Sequence, residues 1–313
     1  MANLAGSGQA LDSSLPTIYS EFRILRDATG VARKCATHYP LKPHTGAAKN
    51  ILNYGRLQAY ALQDGVDMAQ AQNLADTNTA YTPSEVGLQV VLPKSTLRRV
   101  ADPELLRRTG RMMNNAYDLK EDQDGCAQFV SFTPSVGTAN TVLSVGHGLA
   151  AVTKLSIGNS RATPEPAPEP YYGVLHPIHH SHLAGRVVPL TDVPTGTNVY
   201  TGTAAGATVG AGRTAMGDEI IRKGPKALGT FFGAEVYRDA NIAVDASDDA
   251  SSCFFSKEGL IFVPEVEPMM EPDERDPSLR GIELNVWGSY AWGVYRGSAY
   301  GCELIGDATM PTS

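Results

Sequence analysis

A chain of 313 residues with a net charge of −7 is long enough for one large domain or two modest ones. It is too acidic for a protein that grips nucleic acid through a basic face, and its basic residues cluster only in the pairs Arg98-Arg99 and Arg107-Arg108. The sequence has no apolar run of the roughly 18 residues that a transmembrane helix needs, and no signal-peptide pattern. These features exclude a membrane protein and predict folding in the cytosol.

The first 78 residues predict segments that need a partner surface. Residues 1–34 are expected to form an arm with a short amphipathic helix, since Ile18, Phe22 and Leu25 recur at helical spacing. Residues 35–78 are expected to form a long hairpin that has too few apolar residues to enter the core. We therefore expect these hairpin residues to contact a neighbouring copy of the chain: Tyr39, Leu41, Ile51, Tyr54 and Leu57.

Residues 79–135 carry the clearest periodic patterns. Alternating apolar residues over 86–92 predict a strand that ends at the following proline. A helix is predicted over 102–130, with Asp102 as its N-cap and Pro103 in its first turn. One stripe of this helix is expected to face one partner surface, and it consists of Leu105, Thr109, Met112, Ala116, Leu119, Gln123, Cys126 and Val130.

Residues 136–245 are expected to mix helix and strand, and residues 246–313 to return to strands. A second helix is predicted over 138–156 and a short apolar strand over 171–175. The tract 194–217 consists mainly of Gly, Thr and Ala, so it cannot build a core and is predicted to be a mobile loop. The fold class that these elements predict is α+β.

Four of the seven histidines lie between His176 and His182. A metal site needs two imidazoles on one helix face, which His176 supplies together with His179 or His180, and a third ligand, which no neighbour in the sequence supplies. The pattern favours a solvated helix start. A metal site and a pH-sensitive contact remain as alternatives.

No other motif predicts catalysis or a bound cofactor. The glycines of 206–214 have the wrong spacing for a phosphate loop, and Gly158-Asn-Ser160 follows a predicted helix, whereas a nucleophile elbow follows a strand. The acidic residues within 245–249 and 265–276 lack EF-hand spacing. The four cysteines form no CxxC pair and are expected to be reduced. We therefore predict no catalytic residue, cofactor or metal ligand, and no enzyme.

Five stretches, taken in their order, carry a resemblance to a known family. They are Tyr81-Thr-Pro-Ser-Glu-Val-Gly-Leu-Gln-Val-Val, Asp118-Leu-Lys-Glu-Asp, Tyr171-Tyr-Gly-Val-Leu-His-Pro, Gly229-Thr-Phe-Phe-Gly-Ala-Glu-Val-Tyr, and the residues from Tyr290 to Gly306-Asp-Ala-Thr. With the order of elements, they resemble the major capsid proteins of tailed bacteriophages, of the type found in N4-like phages. That capsid fold is shared with herpesviruses and encapsulins.

The resemblance implies five parts of the chain. They are an N-terminal arm (1–34), an extended hairpin loop (35–78), a peripheral domain with a strand and a long spine helix (79–135), an axial domain with a mixed sheet (136–245), and C-terminal strands that complete the peripheral domain (246–313). The Gly-rich loop 194–217 is expected at the capsomer centre, where copies converge and small residues permit close approach. This adds three candidate subunit contacts: Gly206, Gly210 and Gly212.

The same resemblance implies hexamers and pentamers of the chain that close into an icosahedral head around double-stranded phage DNA. An acidic wall suits such a container, because it does not bind phosphate tightly. The implied partners are further copies of the chain, a separate scaffold protein (since the chain begins almost at the arm), a portal protein and decoration proteins. The implied location is the virion, assembled in the host cytoplasm.

One departure from the family is that Gln63-Asp-Gly-Val-Asp stands where a Glu-Gly pair is usual. Three alternatives stay open at this point. The chain is an encapsulin-like nanocompartment shell, another phage structural protein such as a tail or decoration subunit, or a soluble enzyme that uses the histidine cluster.

Overall fold

The computed structural model describes residues 30–42, 46–55, 57, 59–61, 64, 72–73, 76–93, 103–158, 165–186, 227–231, 233–273 and 281–310. The predictions for residues 1–29 of the arm and for the Gly-rich tract 194–217 lie outside these residues.

Helices and strands are mixed along the chain, as predicted for the α+β class. The helices are α1 (Val31–Cys35), α2 (Pro103–Ala127), α3 (Val145–Ile157) and α4 (Pro177–Arg186). The strands are β1 (Thr37–His38), β2 (Lys49–Tyr54), β3 (Asp76–Tyr81), β4 (Ser84–Pro93), β5 (Ser135–Gly137), β6 (Tyr171–Leu175), β7 (Ala227–Phe231), β8 (Ala234–Arg238), β9 (Asp249–Ser256), β10 (Leu260–Asp273), β11 (Gly281–Val294) and β12 (Gly301–Asp307). Within the described part of the chain, the structure contains no helix that is both long and apolar enough to cross a membrane.

A four-stranded sheet has the order β1-β10-β11-β4. β10 and β11 are antiparallel partners of 14 residues each, and β4 continues the antiparallel pairing on the other side of β11. The alternation predicted over 86–92 is confirmed in β4, where every second side chain is partly buried against the core. One apolar face is therefore enough to fix which way this edge strand faces.

A six-stranded mixed sheet has the order β5-β12-β9-β6-β8-β7. β9 lies at its centre, antiparallel to both β12 and β6, while β6 and β8 run parallel. The strands of residues 246–313 are thus divided between the sheets: β9 and β12 belong to the six-stranded sheet, and β10 and β11 to the four-stranded one. This corrects the expectation that the whole segment completes one domain, because hydrogen-bond partners are set by distant strands and not by chain order.

The predicted long helix is present as α2, about 37 Å long at 1.5 Å per residue, followed by a 3₁₀ turn over Gln128–Ser131. Of the predicted stripe, Cys126 faces the core and Thr109 is partly buried, whereas the other described members are exposed. Met112, Leu119 and Val130 are 71%, 44% and 65% exposed. The buried stripe lies one position further along the helix and contains Met113, Asn114, Tyr117, Glu121, Asp122, Gly125 and Cys126.

The second predicted helix is α3, which begins at Val145 and not at 138. Asn140 interrupts any earlier start, because it has a positive φ of 58° and its N–H donates to Asp249 Oδ1 at 2.7 Å. The backbone of 138–144 is therefore held against β9 in a non-helical conformation.

Two cores share β9 as a common wall. Phe255 points to the first core, which lies between α1, α2 and the two sheets and includes Phe129 and Phe262. Phe254 points to the second core, under α3 and α4. Adjacent residues of a strand face opposite sides of the sheet, so one strand closes both cores.

Candidate functional site

The hairpin of β2 and β3 forms a two-stranded sheet of its own, paired from Lys49↔Tyr81 to Tyr54↔Asp76. All β3 residues before Tyr81 are exposed. Apolar side chains nevertheless occur along the hairpin and its continuation, and four of them are 46% to 62% exposed: Leu52, Tyr54, Leu57 and Tyr60. An isolated two-stranded hairpin is at best marginally stable in water. We call these four residues the hairpin surface, and it is the strongest candidate contact site in the described chain.

The base of the hairpin is fixed to the four-stranded sheet through Tyr81. The Tyr81 ring lies directly against Gly293 of β11, where a side chain would have no room, and its hydroxyl donates to the Val294 carbonyl at 2.9 Å. Leu41 and Val263 complete a small buried cluster around this ring. The hairpin therefore leaves the body of the subunit from one well-packed point.

Arg296 attaches the other hairpin strand, β2, to the body of the subunit. It follows β11 with a positive φ of 47°, and its side chain is 17% exposed. Nε donates to Asn53 Oδ1 at 2.5 Å, Nη2 donates to the Tyr54 carbonyl at 2.6 Å, and Nη1 pairs with Glu165. The rigid fork of a guanidinium suits this task, because its donors meet several acceptors in a fixed geometry.

The predicted contact residues fall into three groups. Tyr39, Tyr54 and Leu57 are exposed, as a contact with another subunit requires. Leu41 is only 6% exposed and packs within its own chain, so we remove it from the set. Ile51 is partly buried against the same cluster. Gly206, Gly210 and Gly212 lie outside the described residues, and their role stays a prediction.

The predicted arm boundary at residue 34 also needs correction. Ala32 and Cys35 of α1 are 0% and 1% exposed and belong to the first core. Arg33 pairs with Glu121 of α2 at 3.1 Å. Residues 31–35 are therefore part of the folded body, and an arm must end before them.

The outer face of α2 is a second exposed apolar surface. Met112 and Leu119 are seven residues apart, so they lie on one side of the helix, and Val130 continues that side in the 3₁₀ turn. Most described members of the predicted stripe therefore face away from the core, although Cys126 is buried. A partner of the subunit has an apolar strip available here.

A buried acidic group lies where α1, α2 and the loop after β8 meet. One ligand atom each of Asp122, Cys126 and Asp239 lies within 4.8 Å of the others, an arrangement with the donor types of a metal site. Their atoms already have protein partners: the Ala32 N–H and the Asn241 side chain donate to Asp122, and the Cys126 thiol lies 3.7 Å from Asp239 Oδ2. The group is therefore satisfied by hydrogen bonds within the chain.

The histidine cluster is not a solvated helix start, so the favoured interpretation is wrong. His176, His179 and His180 are at most 9% exposed. His179 Nε2 lies 3.0 Å from the Gly306 carbonyl, which can only accept, so Nε2 carries the hydrogen. Nδ1 then accepts from the Ser252 hydroxyl at 2.7 Å. Because both ring nitrogens are used, His179 has no lone pair free for a metal.

Acid is expected to destabilise the protein through His179. Burial lowers the pKa of His179 from 6.5 to about 4. Since the folded-state pKa is lowered, the unfolded chain binds this proton first, and stability is lost as the pH falls from about 6.5 towards about 4. The loss approaches about 3 kcal/mol for this one group.

Urea unfolding between pH 7.5 and pH 4 measures this effect. His179→Gln has no titrating ring, so its stability difference from the wild type should shrink as the pH falls. His38→Gln, at an exposed position, is the matched control and should follow the wild type. A difference that stays constant over this range would contradict the assignment.

Asp122, Asp239 and Arg296 were not found as site residues from the sequence. Asp122 lies in the Asp118–Asp122 stretch that carried the family resemblance, which was a signal of position but not of contacts. Neither Asp239 nor Arg296 belongs to a motif. Cys126 lies 113 residues from Asp239 and Asn53 lies 243 residues from Arg296, so no local pattern marks these contacts.

This arrangement of a projecting hairpin, a long helix, a four-stranded sheet and a mixed six-stranded sheet is the fold of phage capsid subunits, and the resemblance inferred from the sequence is confirmed at that level. Three solved structures illustrate it. A chain from the capsid of Ralstonia phage GP4 matches with a TM-score of 0.64 at 12% identity, over 89% of this chain and 88% of that one. A chain from the head of Helicobacter pylori bacteriophage KHP40 matches with a TM-score of 0.63 at 12% identity, over 88% and 89%.

A chain from Mycobacterium phage Che8 matches with a TM-score of 0.61 at 13% identity, over 90% of this chain and 93% of that one. No protein-family model and no curated protein sequence matches this chain. The likeness is therefore one of fold, retained at sequence identities of 12% to 13%.

Proposed function

We propose that this chain is the major capsid protein of a tailed phage and builds the shell of its head. The observation that carries the proposal is the extent of the structural match, which includes about nine tenths of this chain and of each capsid or head chain compared. The proposed work of the chain is structural, and the proposal gives it no catalytic role.

In the proposed shell, the hairpin surface supplies contacts between neighbouring subunits. Ordering the backbone of one residue costs about 1–2 kcal/mol, and the hairpin has few apolar contacts of its own to offset that cost. The hairpin surface recovers the cost when it packs on a neighbouring subunit. The predicted arm, which lies outside the described residues, is proposed to contact another neighbour. Repetition of these contacts around rings of five and six makes closure cooperative.

The proposed relation to DNA follows from the net charge of the chain, and the other proposed partners follow from the geometry of a closed shell. The net charge of −7 suits a wall that encloses DNA without binding its sequence. The further partners that we propose are a portal protein, a separate scaffold protein unless the shell closes without one, and decoration proteins on the outer surface. Assembly takes place in the host cytoplasm, and the product is the virion.

Electron microscopy of the purified protein, with mass measurement in solution, tests the proposal. Closed icosahedral shells, or rings of five and six copies, are the expected result. Small shells that never incorporate a portal would favour an encapsulin-like compartment. A monomer that stays compact at all salt concentrations and with a co-expressed scaffold would overturn the proposal.

A further inference from the structure

We propose that Asp122 and Asp239 form a pH-sensitive latch, which fastens α1 to α2 and to the six-stranded sheet while one of the two carboxyl groups is protonated. Asp122 is 3% exposed and Asp239 is 5% exposed. Asp122 belongs to α2, and Asp239 directly follows β8, where its N–H donates to the Leu175 carbonyl of β6 at 2.9 Å. The pair therefore lies at the junction of three parts of the fold.

The pair carries one proton. Both oxygens of Asp122 accept, Oδ1 from the Ala32 N–H at 3.0 Å and Oδ2 from the Asn241 side chain at 2.7 Å. Both oxygens of Asp239 accept as well, Oδ1 from the Asn241 N–H at 2.9 Å and Oδ2 from the Cys126 thiol at 3.7 Å. One oxygen of each carboxyl group lies within 4.8 Å of the other. Two carboxylates this close in a buried site are not both ionised, and Asp239 is the group whose pKa burial raises, so we assign the proton to it.

No positive charge replaces this proton among the described residues. The α2 groups that face Asp239 are Asp122 and the neutral Cys126 thiol. From α1, the thiol of Cys35 is buried near both aspartates, and its burial together with their negative charges raises its pKa. Lys34 of the same helix is exposed. From β8, Glu235 adds a further negative charge near Cys35, and Arg238, which directly precedes Asp239, is exposed.

Arg33, the other basic residue of α1, points elsewhere. It is paired with Glu121 at 3.1 Å and with Glu267 at 3.4 Å. Deprotonation of Asp239 thus leaves two buried negative charges with only neutral donors around them.

The protonation state of Asp239 in the closed latch changes near neutral pH. Burial raises the pKa of Asp239 from 3.8 to about 7, and the contact with Asp122 adds to this effect. A raised folded-state pKa means that the closed latch binds the proton more tightly than the open one. The latch is therefore fully stable below about pH 4, loses stability as the pH rises towards about 7, and changes little above that value. Cys126 and Asn241 also line an open cleft of about 590 Å³, which gives the group a route for proton exchange with solvent.

The consequence concerns the start of the folded body. The Ala32 N–H is held by Asp122, so loss of the proton releases the segment through which residues 1–29 join the body. If the chain builds a shell, the latch makes the attachment of its arm depend on pH. The contacts that form the latch all lie within one subunit, so the latch does not depend on the proposed function.

Hydrogen exchange of the full-length protein at pH 6 and pH 8 tests the latch. After correction for intrinsic rates, the opening constant of the peptide over 30–36 should rise about tenfold between the two pH values. A peptide from β9 serves as the internal reference. Asp239→Asn keeps a neutral donor towards Asp122, so its peptide should stay protected at pH 8, while the exposed Asp64→Asn control should behave as the wild type.

Three results would overturn the proposal. They are an unchanged opening constant in the wild type, an equal rise in Asp239→Asn, and a loss of protection on adding EDTA, which would assign the link to a bound cation. Circular dichroism checks that Asp239→Asn is folded. Asp122→Asn, which also removes one charge from the pair, provides an independent variant that should lose the pH dependence.

Discussion

Replacing Tyr54 and Leu57 together by Ser is expected to abolish closed shells while the subunit stays folded. Both side chains are more than half exposed in the subunit, so they contribute little to its own stability. Burying an apolar side chain of this size contributes about 1.5–3 kcal/mol, so the pair contributes about 3–6 kcal/mol per copy. Losing it raises the concentration needed for assembly by at least about 100-fold.

Negative-stain microscopy and sedimentation on the same sample measure this result, and circular dichroism reports the fold. The matched control is the double variant Ile157→Ser and Val244→Ser. It removes two exposed apolar side chains, 45% and 41% exposed, that lie outside the hairpin. The control should assemble as the wild type does. Normal shells from the Tyr54 and Leu57 variant would show that the hairpin surface is not an assembly contact.

Phe255→Ala is expected to cost about 3–5 kcal/mol of unfolding free energy. Phe255 is fully buried, and its ring lies 6.1 Å from Phe132 and 5.8 Å from Phe129 between ring centroids. Removing it opens a cavity in the strand that closes both cores. The loss is a large fraction of the about 5–15 kcal/mol that stabilises a typical domain.

Urea unfolding followed by fluorescence measures the loss, with two comparisons. Phe255→Leu keeps most of the volume and should lose clearly less than the alanine variant. Met310→Ala, at a position that is 76% exposed, should change stability by no more than about 0.5 kcal/mol. A loss below about 1 kcal/mol for Phe255→Ala would mean that the two cores do not depend on this wall.

The sequence was sufficient where one local pattern decides the structure. β4 is visible in the alternation over 86–92, because one face packs on the core and the other meets solvent. The length of α2 is visible in its start signal at Pro103 and in the period of its apolar residues. The overall fold was accessible only through the family resemblance, since pairing partners are far apart in the sequence.

Local patterns failed where buried groups are polar. Asn114, Glu121 and Asp122 are at most 6% exposed, and a hydrophobicity pattern places such residues on the solvent side. The buried stripe of α2 therefore lies about one residue, or about 100°, around the helix from the stripe that the sequence predicted. The partners that make burial possible, such as Ala32 for Asp122, lie 90 residues away and cannot be read from the helix itself.

The candidate site also has features that the sequence predicted and features that it could not predict. The exposure of Tyr54 and Leu57 was predictable, because a hairpin with sparse apolar residues has no core of its own. The burial of His179 was not predictable, because it depends on Ser252 and Gly306, which belong to two other strands. Histidine spacing alone did not reveal either contact.

The anchors of the hairpin give the subunit a mechanical property. The chain passes from the six-stranded to the four-stranded sheet at 257–259 and returns at 295–300, and hydrogen bonds join these crossings, from the Tyr295 N–H to the Gly259 carbonyl and from the Ser256 N–H to the Tyr300 carbonyl. Tyr81 and Arg296 attach both hairpin strands at this line. The base of the hairpin is therefore fixed at the junction between the two sheets. In the proposed shell, a force that a neighbouring subunit exerts on the hairpin would reach that junction first.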